Sequence, residues 1–195
     1  MAKREKEYQD LKKFKVSADF RGKSKMMVQV WWIVEKTLFA MSPQFFFGWR
    51  RFLLRLFGAK IGKGVLIRSS VKVTYPWKVS IGDYTWIGEE TILYSLGEIK
   101  IGSHVAVAHG VYFNTGNHNY KSNDFAILKD KIIIKDESWI TNDVYIAPGV
   151  TIGEGCVIGA RSSVYKNMPK GWVCYGNPAK PVKLRIEEEN YDNRD

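Results

Sequence analysis

A six-residue repeat organises this sequence and constrains its fold more than any other feature. Every sixth residue from position 134 is aliphatic, in the series Ile134, Ile140, Ile146, Ile152, Ile158 and Val164. Upstream the same step holds within three triplets: Ile61, Ile67 and Val73; Ile81, Ile87 and Leu93; Ile101, Val107 and Phe113. The triplets are separated by steps of eight residues, and a step of 21 residues follows the last one. A period of six does not fit a helix of 3.6 residues per turn, so the repeat indicates short stacked strands.

Small residues keep phase with this ladder. A small residue follows the ladder residue directly in many hexads, namely Gly62, Gly82, Gly88, Gly102, Ala108, Ala147, Gly153 and Gly159. We interpret each hexad as one face of a triangular prism, with the aliphatic side chain inside. The next position lies near a corner, where a side chain would be crowded and the wider φ and ψ range of glycine is useful. Successive coils would stack at the strand spacing of roughly 4.8 Å. The sequence therefore predicts an all-β fold, a left-handed parallel β-helix of about five coils over residues 61–168, interrupted by a loop at 114–133.

The segments on either side of the prism have a different character. Residues 1–60 are predicted to be a basic N-terminal tail followed by apolar or amphipathic helices, and residues 169–195 a C-terminal extension. Residues 1–60 contain 14 Lys and Arg against 5 Asp and Glu, so they carry most of the net charge of +10. We expect residues 1–25 to be a solubilising tail. One helix is expected over Met26–Phe39 and a second from Gln44, after Pro43.

Two interpretations of the helical region remain open from the sequence. In the first, the helices pack on the end of the prism and on neighbouring subunits. In the second, residues 1–57 contact the inner face of a membrane, because a basic and aromatic amphipathic helix suits a lipid interface. Charged residues and a proline interrupt every apolar stretch, so a membrane-spanning helix is not expected.

Several functional classes are disfavoured by composition. The two cysteines, Cys156 and Cys174, have no paired spacing, so neither a disulfide framework nor a zinc site is predicted, and a reducing cytoplasm fits. No secretory signal pattern is present at the N-terminus. The prism is nearly neutral and the basic region has no recognisable recognition helix, so nucleic acid is not expected as a partner.

The long loop carries the motif with the most chemical meaning. It begins Asn114-Thr115-Gly116-Asn117-His118, and a long loop in a compact repeat is more often functional than accidental. This loop, the ladder, Trp139-Ile140, Ala147-Pro148-Gly149-Val150 and Gly176-Asn177-Pro178-Ala179-Lys180 together resemble the hexapeptide-repeat O-acetyltransferases. The resemblance covers about residues 50–185. It is similar to the galactoside and maltose acetyltransferases, and looks closest to the branch linked to colanic-acid-type exopolysaccharide biosynthesis.

The resemblance implies an enzyme, an acetyl-CoA-dependent O-acetyltransferase that acts on a saccharide precursor of surface polysaccharide. It implies a homotrimer with active sites at subunit clefts, acetyl-CoA as co-substrate and no metal. His118 is implied as the general base, which suits a neutral imidazole near pH 7. The resemblance implies Glu90, Asn117 and Trp139 at the acceptor. It implies seven residues at the CoA channel: Asn142, Ala147, Ala160, Tyr165, Lys166, Lys180 and Lys183.

Three alternatives stay open at this stage. The same base and channel would serve N-acetylation of an amino sugar-nucleotide. A non-catalytic prism could instead scaffold a biosynthetic assembly at a membrane. The spacing of His104 and His109 also resembles that of the metal ligands of γ-class carbonic anhydrases, although a third histidine would have to come from another coil across a trimer interface. Exposed or interface-packed imidazoles are the simpler explanation for these two.

Overall fold

The computed structural model describes residues 8–186 and contains three parallel sheets that wind around one apolar core. The first sheet contains β1 (Lys60–Ile61), β4 (Val79–Ile81), β7 (Ile99–Ile101), β12 (Ile132–Ile134) and β15 (Thr151–Ile152). The second contains β2 (Leu66–Ile67), β5 (Trp86–Ile87), β8 (Ala106–Val107), β13 (Trp139–Ile140), β16 (Val157–Ile158), β18 (Trp172–Gly176) and β19 (Ala179–Leu184). The third contains β3 (Lys72–Val73), β6 (Ile92–Tyr94), β9 (Tyr112–Asn114), β14 (Tyr145–Ile146) and β17 (Ser163–Val164).

The aliphatic ladder forms the core, as predicted. All fifteen ladder residues from Ile61 to Val164 are buried. They also stack in register, because Ile61 pairs with Ile81 and Ile81 with Ile101 along the first sheet. Each coil therefore contributes three ladder side chains to the core and hydrogen-bonds its backbone to the coils beside it. The predicted β-helix is confirmed.

The glycines of the repeat are required for space rather than for backbone freedom. A Cβ atom built on Gly88 would lie 2.5 Å from the carbonyl carbon of Ala108 in the next coil. Gly62, Gly82, Gly102, Gly153 and Gly159 are crowded in the same way. The left-handed conformation occurs two residues further on, at Gly64, Tyr84, His104, Glu137 and Gly155, where the chain turns from the first sheet into the second. The predicted crowding is confirmed, whereas the wider φ range is needed two residues later than predicted.

Two helices close the open end of the first coil. Helix α1 (Lys25–Val34) continues as a π-helical turn (Glu35–Phe39), and α2 (Phe47–Leu56) follows a break around Pro43. The second helix starts three residues later than predicted, because Pro43 and Gln44 lie in the turn before it. The side chains of both helices that face the prism form hydrogen bonds with backbone groups of the first coil. Those groups have no preceding strand to pair with.

The capping contacts are specific hydrogen bonds. The Trp31 indole N–H donates to the carbonyl of Val73 at 2.7 Å, and the Glu35 carboxylate accepts from the Val73 N–H. Arg50, which is fully buried, donates from Nε to the carbonyl of Ile67 at 2.6 Å. Arg51 and Arg55 donate to carbonyls of the same coil, at Val65, Ile61 and Gly62. The helices therefore pack on the end of the prism, as the first of the two interpretations predicted for a single chain.

The opposite end of the prism extends further than the repeat suggested. Met168 forms a parallel β-bridge with Ile152 and so extends the first sheet beyond β15. In the second sheet, β18 lies parallel to β16, with Cys174 beside Ile158. Strand β19 then folds back antiparallel on β18. The structure thus adds part of a sixth coil in the region where the spacing predicted an extension. Both cysteines are buried and free, and burial raises the pKa of each thiol. In the part of the chain that the structure describes, no helix is long and apolar enough to cross a membrane.

Candidate active site

The loop that interrupts the ladder folds into a β-hairpin. Strands β10 (Gly116–His118) and β11 (Ile127–Lys129) pair antiparallel, with His118 opposite Ile127. Thr115 anchors the base of the hairpin, because its buried hydroxyl donates to the Tyr94 carbonyl at 2.6 Å and accepts from the Gly97 N–H at 2.8 Å. The hairpin therefore projects rigidly from the end of the third sheet and presents His118 near its tip.

The hydrogen bonding of His118 fixes which ring nitrogen is available for chemistry. Its Nδ1 lies 2.8 Å from the carbonyl oxygen of Phe125. A carbonyl oxygen only accepts, so Nδ1 carries the proton in the neutral ring and Nε2 keeps its lone pair. A neutral imidazole with a free Nε2 is the form that can remove a proton from an attacking group. The side chain is half-buried, which leaves it partly accessible to a substrate.

Phe125 positions His118 through both its backbone and its side chain. It has a φ of 50°, a conformation that L-residues with large side chains rarely adopt. This conformation turns the Phe125 carbonyl toward Nδ1 of His118. It also lays the phenyl ring flat on the imidazole, with centroids 4.1 Å apart and planes 8° apart. Phe125 could not be identified from the sequence, because a left-handed φ at phenylalanine has no sequence signature.

The N-terminal segment covers the hairpin instead of forming a free tail. The Asp10 N–H donates to the Asn123 carbonyl at 2.8 Å, and the Phe14 ring lies 5.7 Å from the His118 ring. Further on, the Phe20 carbonyl accepts from Lys78 at 2.8 Å. The expectation of a solubilising tail was therefore wrong for residues 10–22, because they find polar and aromatic partners on the hairpin and the second coil. Residues 1–7 lie outside the described residues.

The predicted acceptor residues lie at three different positions. Asn117 is exposed beside His118, and its Oδ1 accepts from the His118 N–H at 2.8 Å. Glu90 is exposed with a φ of 57° at the corner between the second and third sheets, and its N–H donates to Ser70 Oγ. Trp139 points outward from the second sheet. Within one chain, only Asn117 is adjacent to the candidate base.

A groove lies beside Trp139. Trp86 and Trp139 flank the small Ala106 on the outer face of the second sheet, because both pair with it in register. The resulting groove has a volume of about 420 Å³ and is mainly apolar, with Phe47 and His109 also at its wall. Such an exposed slot suits an apolar chain or a second protein surface. Trp139 could be identified from the sequence, whereas Trp86, which forms the other side of the groove, was not predicted.

The candidate CoA residues occupy the later coils. Asn142 and Ala160 are exposed at the corner between the second and third sheets, and Ala147 is buried after β14. Tyr165 and Lys166 are exposed after β17, while Lys180 and Lys183 are exposed on β19. A single chain spreads these positions over several faces and does not gather them with His118 into one pocket.

A row of stacked tyrosines on the third sheet was also missed. Tyr94, Tyr112, Tyr145 and Tyr165 follow one another along four coils, with ring centroids 6.2, 5.9 and 5.8 Å apart. Asn114, directly before the hairpin, donates to the hydroxyl of Tyr145 at 2.8 Å. The row links the hairpin base to Tyr165, a candidate CoA contact, along one face. Its signal in the sequence was a tyrosine directly before or after a ladder residue in four coils.

The other two histidines occupy separate corners. His104 stacks on Tyr84, with centroids 5.4 Å apart, and His109 lines the groove beside Trp139. Among residues 8–186, no three His, Cys, Asp or Glu side chains converge as metal ligands. Within one chain His104 and His109 therefore face different surroundings, and the carbonic anhydrase alternative needs a third histidine from a neighbouring subunit.

Comparison with known proteins connects this chain to one family. Residues 131–166 match the family model described as bacterial transferase hexapeptide (six repeats). The chain is 53% identical over 181 residues to a protein of Escherichia coli strain K12 named as colanic acid biosynthesis acetyltransferase WcaF, covering 93% of this chain and 100% of that protein. Solved structures show the same fold. A maltose O-acetyltransferase from Clostridium difficile 630 superposes with a TM-score of 0.77 at 25% identity, covering 87% of this chain and 96% of that one. A galactoside acetyltransferase in complex with coenzyme A superposes with a TM-score of 0.76 at 24% identity, covering 83% and 82%.

Proposed function

This chain belongs to the hexapeptide-repeat acetyltransferases, in the branch of the colanic acid biosynthesis enzymes, and from that membership we propose its reaction. It transfers the acetyl group of acetyl-CoA to a hydroxyl of a saccharide precursor of surface polysaccharide, with His118 as the general base. The observation that carries this proposal is the hydrogen bond from His118 Nδ1 to the Phe125 carbonyl, which leaves Nε2 free.

The proposed chemistry balances with one histidine. The acceptor hydroxyl attacks the thioester carbonyl while Nε2 of His118 takes its proton, and a tetrahedral intermediate forms. The intermediate collapses, the carbon–sulfur bond breaks, and the CoA thiolate receives the proton back from His118. The products are an acetyl ester and free CoA. The fixed tautomer means that the imidazole has no need to reorient between the two proton transfers.

The proposed active site lies between subunits of a homotrimer. His118 and Asn117 extend on the hairpin, whereas Trp139, Lys180 and Lys183 lie on the second sheet of the same chain. A neighbouring copy could bring its second sheet and its later coils to this hairpin. The groove between Trp86 and Trp139 supports this assembly, because both indole rings stay exposed in the part of the chain that the structure describes.

Substrate contacts follow from the same arrangement. Asn117 and Glu90 would hydrogen-bond the acceptor, with Trp139 at its side. The CoA channel would run past Asn142, Ala147, Ala160, Tyr165 and Lys166. Lys180 and Lys183 would meet the phosphates as exposed point charges. The use of acetyl-CoA places this proposed reaction in the cytoplasm.

Substitution of the three histidines tests the proposal with controls from the same chain. We expect His118→Ala to lower kcat by about 10²–10⁴-fold, the usual contribution of a general base. The His104→Ala and His109→Ala variants should retain most of the wild-type kcat, since neither histidine is assigned to proton transfer. Release of CoA is followed with a thiol reagent, on saccharides that offer either hydroxyl or amine groups. Near-wild-type turnover by the His118→Ala variant would refute the assignment of His118 as the general base.

Two further measurements separate the alternatives. Mass spectrometry and NMR of the product distinguish an ester from an amide, and an amide would favour the amino sugar-nucleotide reaction. Calorimetry with CoA tests whether the chain binds the co-substrate at all. No binding would favour a non-catalytic scaffold.

A further inference from the structure

We propose that the outer surface of the N-terminal helices docks this enzyme on a membrane that contains anionic lipids. We call it the helical docking surface and define it by its exposed apolar side chains: Met26, Met27, Val30, Ile33, Leu38, Met41, Phe45, Phe46, Trp49, Phe52 and Leu56. The proposal concerns a surface outside the catalytic hairpin, so it stands or falls independently of the reaction proposed above.

The docking surface is the face of the helices left free by the prism. Trp31 and Phe39 are buried, and they turn toward the first coil together with Leu53 and Leu54 of α2. Val28 is buried in a second cluster with Phe20 and Tyr75. Since those faces are occupied, the side chains on the opposite faces point away from the prism end. Met26 is 76% exposed, Met41 80% and Phe45 75%, although each is large and apolar. Exposure of so many neighbouring apolar groups marks an interaction surface.

Contacts within the surface show that it is continuous. The Trp49 indole N–H donates to the Leu38 carbonyl at 2.9 Å and thereby joins α2 to the π-helical turn. Trp49 also stacks on Phe52, with centroids 5.7 Å apart. Leu38, Met41, Phe46 and Trp49 line one shallow groove of about 500 Å³. On α1, Met26, Val30 and Ile33 follow at helical spacing and extend the same stripe.

The charge of this region points to an anionic partner. Between Asp19 and Asp83 the sequence has 12 Lys and Arg residues and a single acid, Glu35. Glu35 turns inward and accepts from the Val73 N–H. Arg50, Arg51 and Arg55 also turn inward, to carbonyls of the first coil, so the exposed lysines set the charge of this surface. Lys23, Lys25 and Lys36 are exposed on or beside α1. The net charge of this segment exceeds that of the whole chain, +10, so the rest of the protein contributes no positive excess.

A lipid interface satisfies both properties at once. Aromatic and aliphatic groups insert among acyl chains just below the headgroups, while lysines meet the lipid phosphates. Helices α1 and α2 have ten residues each, which suits helices that lie in the interface plane rather than cross it. A second copy of the same surface is a poorer partner, because a face-to-face contact would bring two cationic regions together.

Vesicle binding by the full chain tests this docking. We expect the protein to float with vesicles of phosphatidylcholine containing about 30 mol % phosphatidylglycerol, to bind pure phosphatidylcholine far less, and to dissociate as salt is raised. The triple variant Lys23→Glu, Lys25→Glu, Lys36→Glu should lower the bound fraction about tenfold or more. The matched variant Lys100→Glu, Lys131→Glu, Lys135→Glu changes the same charge on the prism and should bind like the wild type.

A second variant removes the apolar contribution. Met41→Ser, Phe45→Ser and Phe52→Ser together should also abolish flotation, while circular dichroism and acetylation of a soluble acceptor remain unchanged. Equal binding of wild type to both lipid compositions, or no binding to either, would overturn the proposal. So would a serine triple variant that changes the oligomeric state in light scattering but keeps vesicle binding, since the surface would then join copies of the chain.

Discussion

The imidazole of His118 donates from Nδ1 to the carbonyl of Phe125 and lies flat on the ring of that same residue. One residue thus fixes both the tautomer and the plane of the candidate base. The carbonyl contact depends on the left-handed backbone of Phe125, and the stacking contact depends on its ring. Substitutions can separate these two contributions.

Phe125→Gly should lower kcat modestly, by about 3–10-fold, because glycine tolerates a positive φ and keeps the carbonyl while the ring is lost. Phe125→Pro should lower kcat by about 10²-fold or more, because proline fixes φ near −65° and moves the carbonyl away from Nδ1. Steady-state kinetics on both variants, with thermal melting as a control for folding, checks this order. If Phe125→Pro keeps wild-type kcat, the tautomer assignment is wrong.

Phe14 should influence the acceptor more than acetyl-CoA. Its ring lies 5.7 Å from that of His118 and forms a wall above the candidate base. We expect Phe14→Ala to raise KM for the acceptor about 3–10-fold and to leave KM for acetyl-CoA nearly unchanged. Phe52→Ala, a phenylalanine on the distant docking surface, is the control. Equal effects of Phe14→Ala on both substrates would argue against a wall at the acceptor.

Two glycine substitutions should change the free energy of unfolding in opposite directions. Gly88→Ala would bring Cβ within 2.5 Å of backbone atoms of the next coil, so we expect a loss of about 1–3 kcal/mol in the free energy of unfolding. Gly48 lies in α2 and its Cβ would meet only the Arg51 side chain, at 3.8 Å. Gly48→Ala should stabilise by up to about 1 kcal/mol through helix propensity. Urea unfolding measures both, and a neutral Gly88→Ala would contradict the close stacking of coils.

Lys78 should make stability depend on pH above neutrality. Burial lowers the pKa of Lys78 to about 8, with Lys129 adding repulsion, whereas the unfolded chain keeps a value near 10.5. Between these two values the unfolded state binds more protons, so the free energy of unfolding contributed by this group rises with pH. Below about pH 8 both states are protonated and the cost of burying the cation is constant.

The measurement compares wild type with Lys78→Met in urea at a series of pH values from about 7 to 10. The difference in free energy of unfolding should shift in favour of the wild type as pH rises through that window. A difference that stays constant would mean that Lys78 titrates at its ordinary value in the folded protein.

The ladder allowed the fold to be predicted because its physics is local and periodic. Ile134 and Ile140 occupy equivalent buried positions, and a shift of register by one residue would expose every side chain of the ladder. His118 could also be found, because it lies in the loop that breaks the phase. The role of Phe125 could not, since nothing in its residue type indicates a left-handed φ.

The N-terminal strap illustrates a second limit. Asp10 and Phe14 sit in a polar, lysine-rich stretch whose composition resembles a tail. Their partners, Asn123 and His118, are more than a hundred residues away in the sequence. Long-range contacts of this kind carry no periodic signal. Trp86 was missed for a related reason, since only the register between β5, β8 and β13 aligns it with Trp139.

The caps at the two ends of the prism also explain why the protein stays finite. A stack of parallel strands ends in unpaired N–H and C=O groups, and such an edge can recruit another chain into a growing fibre. Trp31, Arg50 and Arg55 occupy these groups at one end, and the β18–β19 hairpin covers the second sheet at the other. The helices that carry the docking surface therefore also protect this chain from end-to-end polymerisation.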